Sequence, residues 1–510
     1  MQITDLTVTL SKNLKTIISG FTFTLNPGDK AVIIGEEGNG KSTLIKLLYD
    51  PALIEGYASF SGTVFRGAET IGYLPQEVDF GETSVYEYIF GEAGYGNETE
   101  IAELGSLMGI PMEFFYSSQK CSTLSGGEKV KLHLAKTLIA EPDILLLDEP
   151  SNDLDLQALE WLETFIRDCR QAVMFVAHDE RLIETAANVI IHLEQVCRKT
   201  VPRHTVARLP YTEYIARRAR GLEHQEQIAR KEKADYDSQM ERWRQIYQKV
   251  DRRQEGITRQ DPHGARLLKK KMHSVKSQDR RLEREADNMT QIPDVEEAIF
   301  AGFDPANIIP GGKVVLDLEL SELTVAERVL ARNIRLRVGG PEHIGITGRN
   351  GAGKSALLKK IAEILFPRRD IKAAYMPQNY ADLLDFTQTP VEFLAPSGAK
   401  DDVTRARNFL GSVKYTSDEM LGAIAELSGG QKAKLLFLKM VLDGCDVLLL
   451  DEPTRNFSPL SNPVIRKALR EFPGAVICVT HDRKYLSEVC AKVYRLTENG
   501  LITVSIQNQN

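Results

Sequence analysis

Two stretches of this chain alternate short apolar runs with helically spaced segments, and a different period rules between them. "KAVIIG" (30–35) reads as a short buried strand; a glycine-rich turn follows, then "KSTLIKLLY" (41–49) with apolar residues at helical spacing. "ILLLDEP" (144–150) and "VLLLDEP" (447–453) each lead four apolar residues into an Asp-Glu pair. That is the pattern of a buried strand whose carboxylates emerge at its C-terminal end, where ligands bind in open α/β sheets. In the middle, Ile215, Leu222, Ala229, Tyr236, Trp243 and Val250 recur every seven residues and predict one long helix with a continuous seam. "DRRQEGITRQDPHG" (251–264) interrupts it with Gly256, Pro262 and Gly264. Beyond the break, Leu268, Met272, Val275, Asp279, Leu282, Ala286 and Met289 follow 4-3 spacing. Two seams about a loop predict an antiparallel helical hairpin with arms of up to roughly 60 Å and 40 Å. A mere tether would be shorter and flexible.

Composition sharpens this picture in two places. The 510 residues suffice for about two to four domains, and 42% hydrophobic with 26% charged residues is ordinary for a soluble globular protein. The longest apolar run, 172–177, is far short of the ~20 residues a membrane span needs, and "MQITDLTVTL" lacks the features of a signal peptide. Six scattered cysteines (121, 169, 197, 445, 478, 490) without a C-x-x-C pair argue against zinc modules and a disulfide framework. A cytoplasmic protein is expected. The net charge of −7 conceals a division of labour: residues 211–290 hold 20 Lys and Arg against 14 Asp and Glu, whereas the remainder holds 44 against 57. The bias peaks over 251–281, with ten basic against four acidic residues. A solvated coiled-coil face would explain an isolated charge run. At the far end of a rigid hairpin on an otherwise acidic chain, it favours a phosphate-rich target, with folded RNA as the expected partner.

The motifs come twice and in the same order. "GEEGNGKS" (35–42) and "GRNGAGKS" (348–355) fit G-x-x-x-x-G-K-[ST]; "LSGGE" (124–128) is echoed by "LSGGQ" (427–431), and "VAHD" (176–179) by "VTHD" (479–482). Leu124 to Glu149 and Leu427 to Glu452 both span 25 residues, and Glu149 to His178 and Glu452 to His481 both span 29. The first copy is 11 residues longer between its loop lysine and Gln76 than the second is before Gln378. Expected domains are 1–205, a linker at 206–300, and 301–510. The glycines let backbone N–H groups close around phosphate oxygens at a helix start. Candidate nucleotide-binding residues are therefore Gly35, Glu36, Glu37, Gly38, Asn39, Gly40, Lys41, Ser42 and Thr43. In the second copy they are Gly348, Arg349, Asn350, Gly351, Ala352, Gly353, Lys354, Ser355 and Ala356. Lys41 and Lys354 would reach the β/γ-phosphates, and the Ser42 and Ser355 hydroxyls would sit on Mg²⁺.

This motif set resembles the ATP-binding cassette superfamily over about 400 of the 510 residues. The resemblance implies an α/β fold of two tandem P-loop cassettes joined by the hairpin, with ATP and Mg²⁺ as ligands. By resemblance, Asp148 and Asp451 hold the Mg²⁺ shell, Glu149 and Glu452 polarise the attacking water, and His178 and His481 contact the γ-phosphate. Gln76 and Gln378 sense metal and water. Ser125, Gly126 and Gly127 complete the pocket of Lys354, and Ser428, Gly429 and Gly430 that of Lys41. Both halves being in one chain makes the clamp intramolecular, so a monomer is expected. Two departures stand out. "TRNFS" (454–458) puts Ser458 where "SNDLD" (151–155) has Asp155, so the sites are expected to hydrolyse unequally. No clear aromatic candidate upstream of either loop offers to stack on a base, which leaves ATP over GTP to the resemblance.

Two cassettes, no membrane span and an intervening hairpin resemble the ABC-F family. Its members bind the ribosome at the E site and direct this linker along the large-subunit rRNA toward the peptidyl-transferase centre and P-site tRNA. The short interval from Gln76 to Leu124 leaves no room for the arm insertion seen in several translation factors, and "TRNFSPLSNP" (454–463) resembles the Vga/Lsa-type antibiotic-resistance branch. Ribosomal protection is the expected role, with a housekeeping translation factor and a transporter ATPase as the alternatives.

Overall fold

A computed structural model describes residues 1–91, 98–255, 262–287, 289–290 and 309–504. Part of the expected hairpin tip (256–261) and the expected domain boundary at 300/301 lie outside the described residues. Two compact units emerge, Met1–Tyr211 together with Glu296–Asn510, and Thr212–Val295.

The first unit contains the same sheet twice. One has the strand order Ile71–Leu74, Ile144–Asp148, Ala172–Val176, Lys30–Ile34, Val189–Gln195, Val201–Ala207; the other runs Ala373–Met376, Val447–Asp451, Ala475–Val479, His343–Thr347, Lys492–Thr497, Gly500–Val504. The first five strands of each are parallel and the sixth is antiparallel. Ile144–Asp148, Ala172–Val176 and Lys30–Ile34 are buried at every position, as are their three counterparts. Near-continuous apolar runs are what a parallel sheet covered on both faces requires. Because these three strands are neighbours, their carboxyl ends deliver Asp148 and Glu149, His178 and the first glycine-rich loop to one edge.

A smaller antiparallel layer accompanies each sheet. In the first copy it has three strands, Thr16–Thr24, Gln2–Leu10 and Ala58–Phe65; in the second it has two, Val314–Val325 and Arg328–Gly339. The strand Ala58–Phe65 lies between Lys41 and Gln76 and accounts for the 11 extra residues of the first copy.

The second unit is a helical hairpin. Its first helix, Tyr211–Glu255, runs four residues past the expected break at Asp251, and its second, Pro262–Asp287, already includes Gly264. Proline is tolerated in a first helical turn, where its missing N–H would have had no partner. The seam is as the spacing predicts: Ala229, Val250, Met272, Val275 and Leu282 are buried, and Leu268, Asp279, Ala286 and Met289 are half-buried. Trp243 Nε1 donates to the Val275 carbonyl at 2.9 Å and ties the helices together. Lys269, Lys270 and Lys271 are all exposed.

Candidate nucleotide sites between the cassettes

Each glycine-rich loop turns from strand to helix through backbone that side chains resist. Gly35 has φ +146°, and a Cβ there would lie 2.2 Å from the Leu193 carbonyl oxygen; Gly348, at φ +151°, would meet Leu496 O at 2.8 Å. Gly40 and Gly353 cap the following helices in the left-handed region, at φ 87° and 95°. The two lysines behave alike. Lys41 Nζ donates to Gly35 O (2.9 Å) and Glu36 O (3.1 Å), and Lys354 Nζ to Gly348 O (2.9 Å) and Arg349 O (3.1 Å). Burial lowers the pKa of both, and nearby carboxylates, led by Glu149 and Glu452 respectively, oppose it.

Ser42 Oγ donates to Asp148 Oδ1 at 2.8 Å, while Asp148 Oδ2 is buried without a hydrogen-bond partner. Burial pushes the Asp148 carboxyl up to about 6 and raises Asp451, which accepts from Ser355. A buried carboxylate oxygen lacking a donor beside a hydroxyl fits a hard cation such as Mg²⁺. Among the described residues no cluster of three or more His, Cys, Asp or Glu could hold a metal. The ion would therefore need further oxygens, which nucleotide phosphates can supply.

Glu149 and Glu452 are held at φ +50° and +51°, a conformation sparsely populated for residues with a side chain and one the motif alone did not reveal. Their surroundings differ. Glu149 accepts from Gln76 Nε2 (3.0 Å) and Asn152 Nδ2 (2.6 Å), with His178 Nε2 3.4 Å away. Burial pushes this carboxyl up, but the bond to and charge of His178, together with Asn152, outweigh burial and hold it at about 2. Glu452 accepts from Thr480 Oγ1 (3.1 Å) and the His481 N–H (3.3 Å). Burial, reinforced by Asp451, raises it to about 7. His481 Nε2 stands 3.9 Å from Glu452, and burial lowers this imidazole to about 4. His178 contributes most to the difference, and a substitution adds to it. Arg455 occupies the position of Asn152, and it reaches across to Asp153 (2.9 Å) instead of donating to Glu452.

The cassettes meet head to tail. The signature serines Ser125 and Ser428 cap the helices Gly126–Ile139 and Gly429–Asp443. The Gly430 N–H donates to Glu37 Oε2 of the opposite loop at 2.7 Å, so a carboxylate already sits at that helix start. Asn350 Nδ2 donates to Asp153 O at 2.5 Å, and His178 Nδ1 bonds Phe457 O at 2.8 Å. Around Lys354 a cavity of about 560 Å³ is lined by Ser355, Gln378, Asp451, Glu452 and His481 from the second cassette and by Gly126, Asn152 and Asp153 from the first. Val325 and Leu330 form an aliphatic part of its wall. Ser458 is buried and bonds Ser461 at 2.9 Å. Asp155 caps the helix Leu156–Asp168, whereas Pro459 follows Ser458 and the corresponding helix begins only at Asn462.

Comparison with known proteins agrees with this fold and geometry. The family model described as ABC transporter matches residues 18–152 and 331–455, and the chain belongs to that family. Its relatives support the F branch. The probable ATP-binding protein YheS of Escherichia coli K12 is 27% identical, covering 95% of this chain and 77% of that one. The tylosin resistance ATP-binding protein TlrC of Streptomyces fradiae is 28% identical over 95% of both, and Arabidopsis thaliana ABC transporter F family member 5 is 24% identical over 95% and 73%. Among solved structures, the archaeal ribosome recycling factor aABCE1, in complex with the stalk protein aP1, superposes with a TM-score of 0.60 at 16% identity, covering 98% of this chain and 90% of that one. The RNase-L Inhibitor gives 0.55 at 17%, over 94% and 87%. Two such cassettes imply ATP binding and ATPase activity in general. No described helix is long and apolar enough to cross a membrane.

For the base role that the resemblance implies, the two carboxylates titrate apart. Glu452 takes a proton below about pH 7 and is then no base, so single-turnover phosphate release by the E149Q protein should rise between pH 6 and 8. Glu149, held near 2, stays ionised throughout, and E452Q should be flat over the same range.

Proposed function

We propose that this protein is a cytoplasmic, ribosome-binding ATPase of the ABC-F type that protects the ribosome from antibiotics, in the manner of the Vga/Lsa-type branch. ATP is buried at two composite sites, each built from one cassette's glycine-rich loop and the other's signature serine and N–H groups. Lys41 and Lys354 hold the phosphates, Glu149 and Glu452 orient and polarise the attacking water, and His178 and His481 contact the γ-phosphate. Ser42 with Asp148 and Ser355 with Asp451 would hold Mg²⁺, with Gln76 and Gln378 sensing it, and the ion would supply charge neutralisation for the phosphates. Positioning and charge neutralisation are most of what phosphoryl transfer needs. Closing and release of the clamp then set the posture of the hairpin, a population shift governed by γ-phosphate contacts. Bound at the E site, the protein directs the hairpin along the large-subunit rRNA toward the peptidyl-transferase centre and P-site tRNA.

The observation that carries this reading is the division of the hairpin into a buried apolar seam and an exposed cationic face. Lys269, Lys270 and Lys271 all face solvent on a segment carrying the chain's strongest positive bias. Such a face suits phosphate contacts that position without reading bases. TlrC, named for tylosin resistance and similar over 95% of both chains, supports the protective role.

Three outcomes test the proposal. The E149Q/E452Q protein should co-sediment with ribosomes several-fold more than wild type under ATP, because binding precedes hydrolysis; equal occupancy would remove the clamp from the reading. K269E/K270E/K271E should lower the slope of log affinity against log salt by about 2 to 3, as three lost phosphate contacts require. An unchanged slope would assign those lysines to solvent. Expression in a susceptible host should raise the minimum inhibitory concentrations of lincosamides, pleuromutilins or streptogramin A. Unchanged susceptibility with retained ribosome binding would indicate a housekeeping translation factor instead.

A further inference from the structure

Behind the nucleotide sites, the contact between the cassettes contains two buried ion pairs whose charges are sorted by cassette. Glu163 and Glu180 belong to the first; Arg466 and Arg483 stand at the equivalent positions of the second, each 303 residues further on, the same interval that separates Glu149 from Glu452. All four are buried. Arg466 clasps Glu180 with both terminal nitrogens, Nη1 to Oε1 at 2.5 Å and Nη2 to Oε2 at 3.3 Å. Arg483 clasps Glu163 in the same way, Nη1 to Oε2 at 3.3 Å and Nη2 to Oε1. Two neighbouring contacts follow the same division: Lys484 reaches Glu180 (3.2 Å) and Glu184 (2.6 Å), and Asp179 lies 4.0 Å from Arg483; Asp482, an acid of the second cassette beside Arg466, departs from it. Glu488, on the second cassette, adds a bond to Arg466 (2.9 Å).

Exchanging one cassette for its homologue shows what this sorting does. Because the four positions are related by the repeat, two first cassettes meeting face to face would set Glu180 against Glu163, and two second cassettes would set Arg483 against Arg466. Buried charges tolerate desolvation only when a complementary partner satisfies them, and like charges brought together in such a place repel strongly. Specificity of this kind rests as much on what the wrong partner meets as on what the right one gains. We propose that Glu163, Glu180, Arg466 and Arg483 form a pairing code that admits contact only between a first and a second cassette. It thereby keeps the clamp within one chain and excludes pairing of like cassettes from two chains. No ribosomal partner enters into it.

Full-length variants test the code, read by hydrogen-exchange mass spectrometry over 180–186 and 483–488 and by sedimentation velocity. E163R/E180R makes both faces basic, and R466E/R483E makes both acidic. Each alone should exchange about tenfold faster or more in those helices. Mixed together, they should form a two-chain species with protection restored. The fourfold variant E163R/E180R/R466E/R483E transfers the charges between cassettes and should recover wild-type protection as a monomer. Either double variant remaining as protected as wild type, or the fourfold variant remaining as exposed as the doubles, would overturn the pairing code.

Discussion

Everything in the larger unit turns on the contact between one cassette's glycine-rich loop and the start of the other's signature helix. In each loop the lysine folds back onto loop carbonyls, and on the Lys41 side the opposing helix start brings its Gly430 N–H to the loop. The Glu37 carboxylate takes that N–H. A helix N-terminus facing a cationic loop is an electrostatic gap that a phosphate chain would fill from both sides. The sheets exist to hold that gap in register. Three adjacent parallel strands in each cassette bring loop, carboxylates and histidine to one edge, with strands buried tightly enough to fix their positions.

The two gaps are not copies. On the Lys41 side the carboxylate is gripped by two amides and a histidine, and that histidine is anchored to the opposite cassette. On the Lys354 side an arginine stands in place of one amide and turns toward Asp153, Glu452 is raised by burial and Asp451, and the His481 ring makes no hydrogen bond, its Nε2 lying 3.9 Å from Glu452. Asn152 and Arg455 both lie in the few residues after an Asp-Glu pair, the segment that also loses its helix-capping aspartate in the second copy.

Most of the architecture was legible because it rests on period and punctuation. The repeat fixed two equivalent sheets, and heptad and 4-3 spacing placed the hairpin seam, down to the burial of Met272, Val275 and Leu282. What escaped were features that depend on side chains meeting across the fold. The positive φ of Glu149 and Glu452 comes from the turn that ends a buried strand. The consequence of Arg455 depends on Asp153 of the other cassette. Break positions were also imprecise: a proline and a glycine at the hairpin's second arm read as loop, yet both lie in a helix whose first turn can accept them.

Tandem fusion explains why such asymmetry can exist at all. In a symmetric dimer of identical cassettes, every contact from residue i of one copy to residue j of the other is repeated from j to i across the two-fold axis, so a change on one side appears on the other. An acid at the position of Glu180 would then also require a base at the position of Glu163 on the same sequence. Joining two copies in one chain removes that constraint: one copy can carry the acids and the other the arginines, and the residues after each Asp-Glu pair can diverge independently. The fusion therefore does more than raise the effective concentration of one half near the other. It permits a contact whose two faces differ, and unequal nucleotide sites become possible only once the faces can no longer exchange.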